Sequence, residues 1–260
     1  MKYYRHLCTE QLSSRAFFLL YARDLLSPED KAKAEEILPG ILEQLKTRQR
    51  PDGGFSYWPE SNYSQPWATS MAGEALMEAR RQGFPVQQRC LDNWVSFQKK
   101  SAKDYRHRDT YNLSDLDQAY RLYTLALAKA PDFGAMNRLK ESSSLCLQAR
   151  WRLAEAYVVA GKKETASQLT DASSLSIATP SSGLGNTWWS AVRDKAMIAE
   201  SLVETGNVGK ALALAGEIAE GFSAKRASTQ EIAWVSKAMA TLSKAVGNGL
   251  ADVRFYQRQD

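Results

Sequence analysis

The chain has 260 residues, 44% of them apolar and 24% charged, which suits a folded protein with one large domain or two smaller ones. Such a composition excludes a largely disordered chain, no apolar run is long enough to cross a membrane, and the first residues lack the pattern of a signal peptide. A net charge of +5 is too mild to mark a nucleic-acid surface, and the only basic clusters, KTRQR at 46–50 and RHR at 106–108, read as solvated face.

In chain order, the first stretch of interest is HLCTEQLSS, residues 6–14. Cys8 and Gln11 stand three apart, with Glu10 between them, just ahead of a long apolar run that contains LLYARDLL. By itself Cys8 reads as a small buried hydrophobe. AEEILPGILEQL follows, apolar at threes and fours, the signature of an amphipathic helix. Next comes RQRPDGGFSYWPESNYSQPW, residues 48–67, a turn-rich connection carrying Phe55, Tyr57, Trp58, Tyr63 and Trp67. Pro51-Asp52-Gly53-Gly54 predicts a tight turn within it. Its rings either plug one end of a helical array or wall something off from water, and the two roles are compatible.

From there one unit recurs. SQPWATSMAGEALMEARRQG stops at Gly83, SDLDQAYRLYTLALAKAP at Pro131, LQARWRLAEAYVVAG at Gly161, WWSAVRDKAMIAESLVETG at Gly206 and STQEIAWVSKAMATLSKAVG at Gly247. Each opens on polar capping residues, carries small and aromatic side chains on one face, and closes at a helix stop. The spacing of the stops fits a pair of helices per unit, and a pair cannot bury its apolar face without neighbours stacked on it. The chain therefore predicts an all-α array, either an open solenoid or a closed ring, with SLSIATP at 174–180 the one weak strand candidate. Cys8, Cys90 and Cys146 show neither disulfide nor metal spacing, and Cys90 and Cys146 fall within helical periodicity as core thiols. The two histidines, His6 and His107, read as solvent-facing, so neither a metal nor a cofactor is expected.

Taken together, CTEQ before an apolar helix, then PDGGFSYWP, DQAYRLYTLALA, VRDKAMIAESLVETG and STQEIAWVSKAMATL, resemble the thioester-containing domain of α2-macroglobulin family proteins, the bacterial members in particular. The resemblance runs in order over nearly the whole chain. It implies an α/α toroid of helical hairpins, an inner ring of helices inside an outer one, with residues 1–260 forming a single domain cut from a much larger multidomain chain. One departure stands out: the family writes Tyr-Pro-aromatic-Gly directly before the cysteine, and this chain has Tyr4, Arg5, His6 and Leu7.

The resemblance also implies chemistry. Cys8 and Gln11 share one face of a helical turn, and the start of a helix favours the nucleophilic thiolate. Attack of the sulfur on the Gln11 amide would give an internal thioester, which a lysine amine can open, taking the acyl group and releasing Cys8. Glu10 belongs to the motif. Tyr57 and Trp58, helped by Tyr4, are the candidate shields against water. Asp117 falls near a position where the complement branch uses His or Asp to choose the attacker, Asp favouring amines; Ser114, Asp115 and Asp117 equally suit a plain helix start. On this reading the protein is a single-use protease inhibitor and not an enzyme. It works in the periplasm or at the cell envelope, and its partners are proteases and the neighbouring domains of its parent. Two alternatives stay open: a non-reactive helical scaffold, and a toroid enzyme with a carboxylate-lined central cavity.

Overall fold

The computed structural model describes residues 7–107, 114–142, 145–170, 190–223 and 226–247. Tyr4, His6 and the strand candidate at 174–180 lie outside the described residues. The helices are α1 (Thr9–Tyr21), α2 (Pro28–Thr47), α3 (Pro66–Arg81), α4 (Gln88–Asp104), α5 (Ser114–Leu127) and α6 (Phe133–Lys140). They continue with α7 (Leu147–Val159), α8 (Lys163–Thr170), α9 (Ala191–Glu204), α10 (Val208–Gly221) and α11 (Thr229–Val246). Among the described residues the only β-type pairing is an isolated bridge between Gln49 and Phe55. No helix there is long and apolar enough to cross a membrane.

Packing closes the array. α1 packs on α3, α3 on α5, α5 on α7, α7 on α9, α9 on α11 and α11 back on α1. The even-numbered helices sit outside: α2 against α1, α4 against α3 and α5, α6 against α5 and α7, α8 against α7, and α10 against α9 and α11. The fold is an all-α toroid with an inner ring of six helices.

Sequence explains which helix goes where. The inner helices are buried nearly all round: in α3 every residue from Trp67 to Leu76 is buried. The outer helices bury one stripe, Ala211, Leu214 and Ile218 in α10 and Ala34, Leu38, Ile41, Leu42 and Leu45 in α2. Gly73 on α3 leaves the space filled by the Trp94 indole of α4, so the two helices meet backbone against ring.

The recurring stops are one device repeated. After α3, α7 and α9 a glycine turns left-handed (Gly83 at φ 91°, Gly161 at 78°, Gly206 at 84°), and the next amide bonds back to the helix, Phe84 N–H to Ala79, Lys162 to Tyr157 and Asn207 to Leu202. α5 departs from the sequence expectation. Its stop is not Pro131 but Lys129, which takes φ 55° while Ala130 N–H bonds to the Leu125 carbonyl.

All six inner helices send side chains to the centre, which is filled and charged. Lys237 pairs with Glu74 and, at 2.7 Å, with Glu200; Arg152 pairs with Glu155 at 2.7 Å and Glu200 at 2.9 Å. The Tyr21 and Tyr120 hydroxyls donate to Glu74 at 2.9 and 2.6 Å, and Ser201 Oγ donates to Glu155 at 2.7 Å. Phe17, Tyr123 and Trp234 stack around the two cations, with Arg152 4.7 Å from the Tyr123 ring centre and Lys237 5.7 Å from that of Phe17. The centre is thus neither the filled apolar ring nor the open carboxylate-lined cavity weighed from the sequence. Its carboxylates are committed to cations.

Candidate functional site

Cys8 is the N-cap of α1, in extended backbone at φ −70° and ψ 163°. Its sulfur accepts from the Gln11 N–H at 3.4 Å, while Gln11 Oε1 folds back to accept from the Cys8 N–H at 3.2 Å. This is a capping box with cysteine where serine or threonine usually stands. The sulfur takes the Gln11 amide and the glutamine oxygen takes the Cys8 amide, so the two side chains cross one turn and lie on the same side of it.

The surroundings are dry. Cys8 is 3% exposed, and residues 55–58 lie over it. Thr9 N–H donates to the Tyr57 carbonyl at 2.9 Å and Thr9 Oγ1 to the Ser56 carbonyl at 2.6 Å, while the Tyr57 hydroxyl hydrogen-bonds the sulfur. The Tyr57 ring meets Trp58 edge-on at 5.6 Å, and Trp58 itself is 41% exposed. This cover is carried by the tight turn read from the sequence: Gly53 at φ 93°, with Gly53 N–H on the Arg50 carbonyl and Arg50 N–H on that of Gly54. Phe55, fully buried, pins its base through N–H to Thr69 Oγ1.

The thiol state differs from expectation. Burial raises the Cys8 thiol above its ordinary value, outweighing the Tyr57 hydroxyl and the Gln11 amide that favour the thiolate, and Glu10 pushes it up further. A helix start alone does not ionise a sulfur that has lost its water.

Glu10 has a structural task that the sequence did not reveal. Its Oε1 accepts from Ser14 Oγ at 2.9 Å and Thr229 Oγ1 at 3.3 Å, tying the first turn of α1 to the start of α11. Its Oε2 lies 4.0 Å from the Cys8 sulfur. Burial raises its pKa above the ordinary carboxylate value, against the pull of Ser14, Thr229 and Arg193. Asp117, in the first turn of α5, is buried, and burial pushes it up to about 7 against Arg121 and Arg193. Arg193 thus acts on both Glu10 and Asp117. No hydrogen bond among the described residues joins Asp117 to Cys8 or Gln11, and its Oδ1 meets no partner there.

No sequence-family model matches the chain, and no curated protein does. Solved structures do. Escherichia coli alpha-2-macroglobulin activated by porcine elastase matches with a TM-score of 0.76 at 20% identity, over 93% of this chain and 23% of that one. Native E. coli alpha-2-macroglobulin, from domain MG7 to the C-terminus, gives 0.77 at 20% over 92% and 40%. Salmonella alpha-2-macroglobulin reacted with methylamine gives 0.79 at 21% over 92% and 17%. The chain has the fold of one part of a bacterial alpha-2-macroglobulin. It spans from 17% to 40% of the length of those three chains.

Several residues were misread or missed in the sequence. Arg48, assigned with KTRQR to solvated surface, is 6% exposed, and its Nη2 donates to the Leu7 carbonyl at 3.1 Å beneath the Cys8 turn. His107, read as solvent-facing, is largely covered, with Nδ1 2.9 Å from Asp115 Oδ1. Cys146 caps α7 and is only half-buried, though burial still pushes its thiol up to about 12. Ser14, Ser56 and Thr229 went unnoticed because hydroxyls flanking a helix start look like generic caps. Among the described residues no cluster of His, Cys, Asp and Glu is placed to hold a metal ion.

Proposed function

We propose that Cys8 and Gln11 form an internal thioester and that the protein is the reactive toroid domain, residues 1–260, of a longer macroglobulin-like protease inhibitor. The supporting observation is the capping box: sulfur and glutamine carbonyl share one dry turn under Tyr57, on a ring with the fold of bacterial alpha-2-macroglobulins. In the reaction the sulfur adds to the Gln11 side-chain carbon and ammonia leaves, storing an acyl group. A lysine amine of a protease later attacks that carbon, the carbon–sulfur bond breaks, and the electron pair returns to Cys8. The Cys8 N–H, already on Gln11 Oε1, is the natural donor to the oxyanion of the tetrahedral intermediate.

Capture happens once per molecule, so the protein is a trap and not an enzyme. Tyr57 shields the bond, Trp58 backs Tyr57 from outside, and Asp117 keeps direct amine attack open. Neighbouring parts of the parent chain complete the shield. The work is done in the periplasm or at the cell envelope.

Intact mass decides the matter. A protein lighter by one ammonia, which on methylamine treatment gains one methylamine and one free thiol, supports the reading. A full-weight protein that takes up no methylamine ends it. The second reading, a non-reactive scaffold, is favoured by one observation: the capping box satisfies both orphan amides without any covalent bond. The same mass measurement separates the two.

A further inference from the structure

Among the described residues three buried cations meet anions, while Arg48 and Arg121 pair with no carboxylate, Arg121 donating instead to Gln118 Oε1. Lys237 meets Glu200 at 2.7 Å, Arg152 meets Glu155 at 2.7 Å, and Arg193 meets Asp194 at 2.5 Å. Arg48 is 94% covered and, among the described residues, pairs with no carboxylate. Its single side-chain hydrogen bond runs from Nη2 to the Leu7 carbonyl, and Nε and Nη1 are buried without partners. An unpaired buried guanidinium costs several kcal/mol, roughly 3–5 by the measured loss of one partner from a buried pair.

What it faces explains the vacancy. The charged and titratable groups around the turn are Cys8 and Glu10 on α1 and Tyr57 and Arg48 from the α2–α3 connection, with exposed Glu60 at the edge of that connection and Arg193 beyond Glu10. Glu10 Oε1 is held by Ser14 and Thr229 and draws on Arg193. Arg48 is drawn on first by Glu60, which is exposed, and then by Cys8, and of the two only the Cys8 sulfur is buried and gains charge when an acyl bond to it opens. The Leu7 carbonyl holds Nη2 of the guanidinium at the residue before the cysteine and leaves Nε and Nη1 buried without a partner among the described residues.

We propose that Arg48 is the standing counter-ion for the Cys8 thiolate released when the acyl bond opens. As the amine adds to the Gln11 carbon and the carbon–sulfur bond breaks, the electron pair passes to sulfur and the amine's proton to solvent. The guanidinium then takes the new anion without any change in its own protonation. Arg48 thereby makes the sulfur a better leaving group, and acts as a positioning charge for it. This purpose rests on the thioester reading, but the effect on the thiol holds whether or not the acyl bond ever forms.

The test is the pH–rate profile of iodoacetamide alkylation at Cys8, followed by peptide mass mapping on the methylamine-treated protein, with Cys90 as internal reference. Arg48→Gln keeps a donor for the Leu7 carbonyl and removes the charge. It is expected to move the Cys8 profile up by about one pH unit, a roughly tenfold slower reaction at neutral pH, with Cys90 unchanged. Arg48→Lys restores the charge and is expected within about threefold of the unsubstituted protein. Superimposable Cys8 profiles for Gln, Lys and arginine overturn the proposal. If Cys90 quickens in the Gln variant, the fold has loosened, and the Lys variant decides: a Cys8 profile a full unit up despite its charge refutes the counter-ion role. Failure of ammonia loss in the intact mass, by contrast, would remove the thioester and leave the thiol shift standing.

Discussion

Glu155→Gln should change how stability depends on pH. At the centre of the ring, Glu74, Glu155 and Glu200 pair, among the described residues, with Lys237 and Arg152 alone, so full ionisation leaves one negative charge too many in a buried site. Glu155 carries the excess. Burial pushes it up to about 8, against the pull of Arg152 and with Glu200 adding to the rise, and its Oε1 meets no partner among the described residues. Its folded value lies above the ordinary 4.5, so the protonated form is the one the fold prefers. Its stabilising share is complete below about pH 4.5 and drains away as pH rises through about 8. At about 1.4 kcal/mol per pH unit, passing from about pH 5.5 to pH 7.5 removes about 2–3 kcal/mol. Glutamine mimics the protonated acid: it still accepts from Ser201 and from Arg152, which retains Glu200. The variant should match the parent near pH 4.5 and exceed it by about 4 kcal/mol near pH 8, in urea unfolding followed by tryptophan fluorescence. Glu10 and Asp117 titrate with the same sign but are common to both proteins and cancel in the difference. Parallel loss of stability in the two proteins would refute the assignment of the odd proton to Glu155.

Gly73→Ala drives a methyl into the buried Trp94 indole and should cost about 3 kcal/mol, lowering Tm by about 5–10 °C; an unchanged melting curve contradicts the α3–α4 packing. Cys8→Ser keeps the cap and should hold stability within about 0.5 kcal/mol, Cys8→Ala should lose about 1 kcal/mol, and both should abolish methylamine uptake in the intact mass. Asp117→His should raise the ratio of glycerol ester to methylamide formed on the activated protein, and an unchanged ratio removes Asp117 from attacker choice. The Thr9 amide, bonded to the Tyr57 carbonyl, should exchange hydrogen well ahead of the Leu12 amide, bonded within the turn to Cys8; simultaneous exchange would show that the cover does not lift alone.

The inner ring was readable because burial on every side leaves a dense helical pattern, and because its stops are chemical: a left-handed position prefers glycine, so Gly83, Gly161 and Gly206 announce it. Lys129 escaped since tertiary packing forced the same angle on a residue that does not advertise it. Ring closure could not be read from periodicity, which sees each helix and its neighbours but not that α11 returns to α1. The Cys8–Gln11 pair was visible as a motif, and the turn at Gly53 as turn chemistry. Arg48 was invisible for a physical reason: an arginine in a basic run has the same sequence signature in water and under a loop, and only the Leu7 carbonyl at 3.1 Å distinguishes the two.

The site is rigid on one side and loosely closed on the other, and this asymmetry decides how it could be unmasked. Below, α1 is gripped twice, at its start by Glu10 through Thr229 of α11 and at its end by Phe17 and Tyr21 against the centre of the ring. Opening the ring would separate Lys237 and Arg152 from their carboxylates, several kcal/mol for each pair broken. Above, Ser56 is fixed by its N–H and Oγ to the Arg48 carbonyl at 3.0 and 3.3 Å and by Thr9 Oγ1. Beyond it the cover is held by Thr9 N–H on the Tyr57 carbonyl and by the Tyr57 hydroxyl, each bond worth about 1 kcal/mol. Phe55 stays anchored by Thr69, and Trp58 and Tyr63 beyond it are exposed. The lower-energy route to the sulfur is therefore to peel Tyr57 and Trp58 away from a ring that does not move. The turn would then be uncovered with its capping geometry intact, and the Leu7 carbonyl would still hold Arg48 in place.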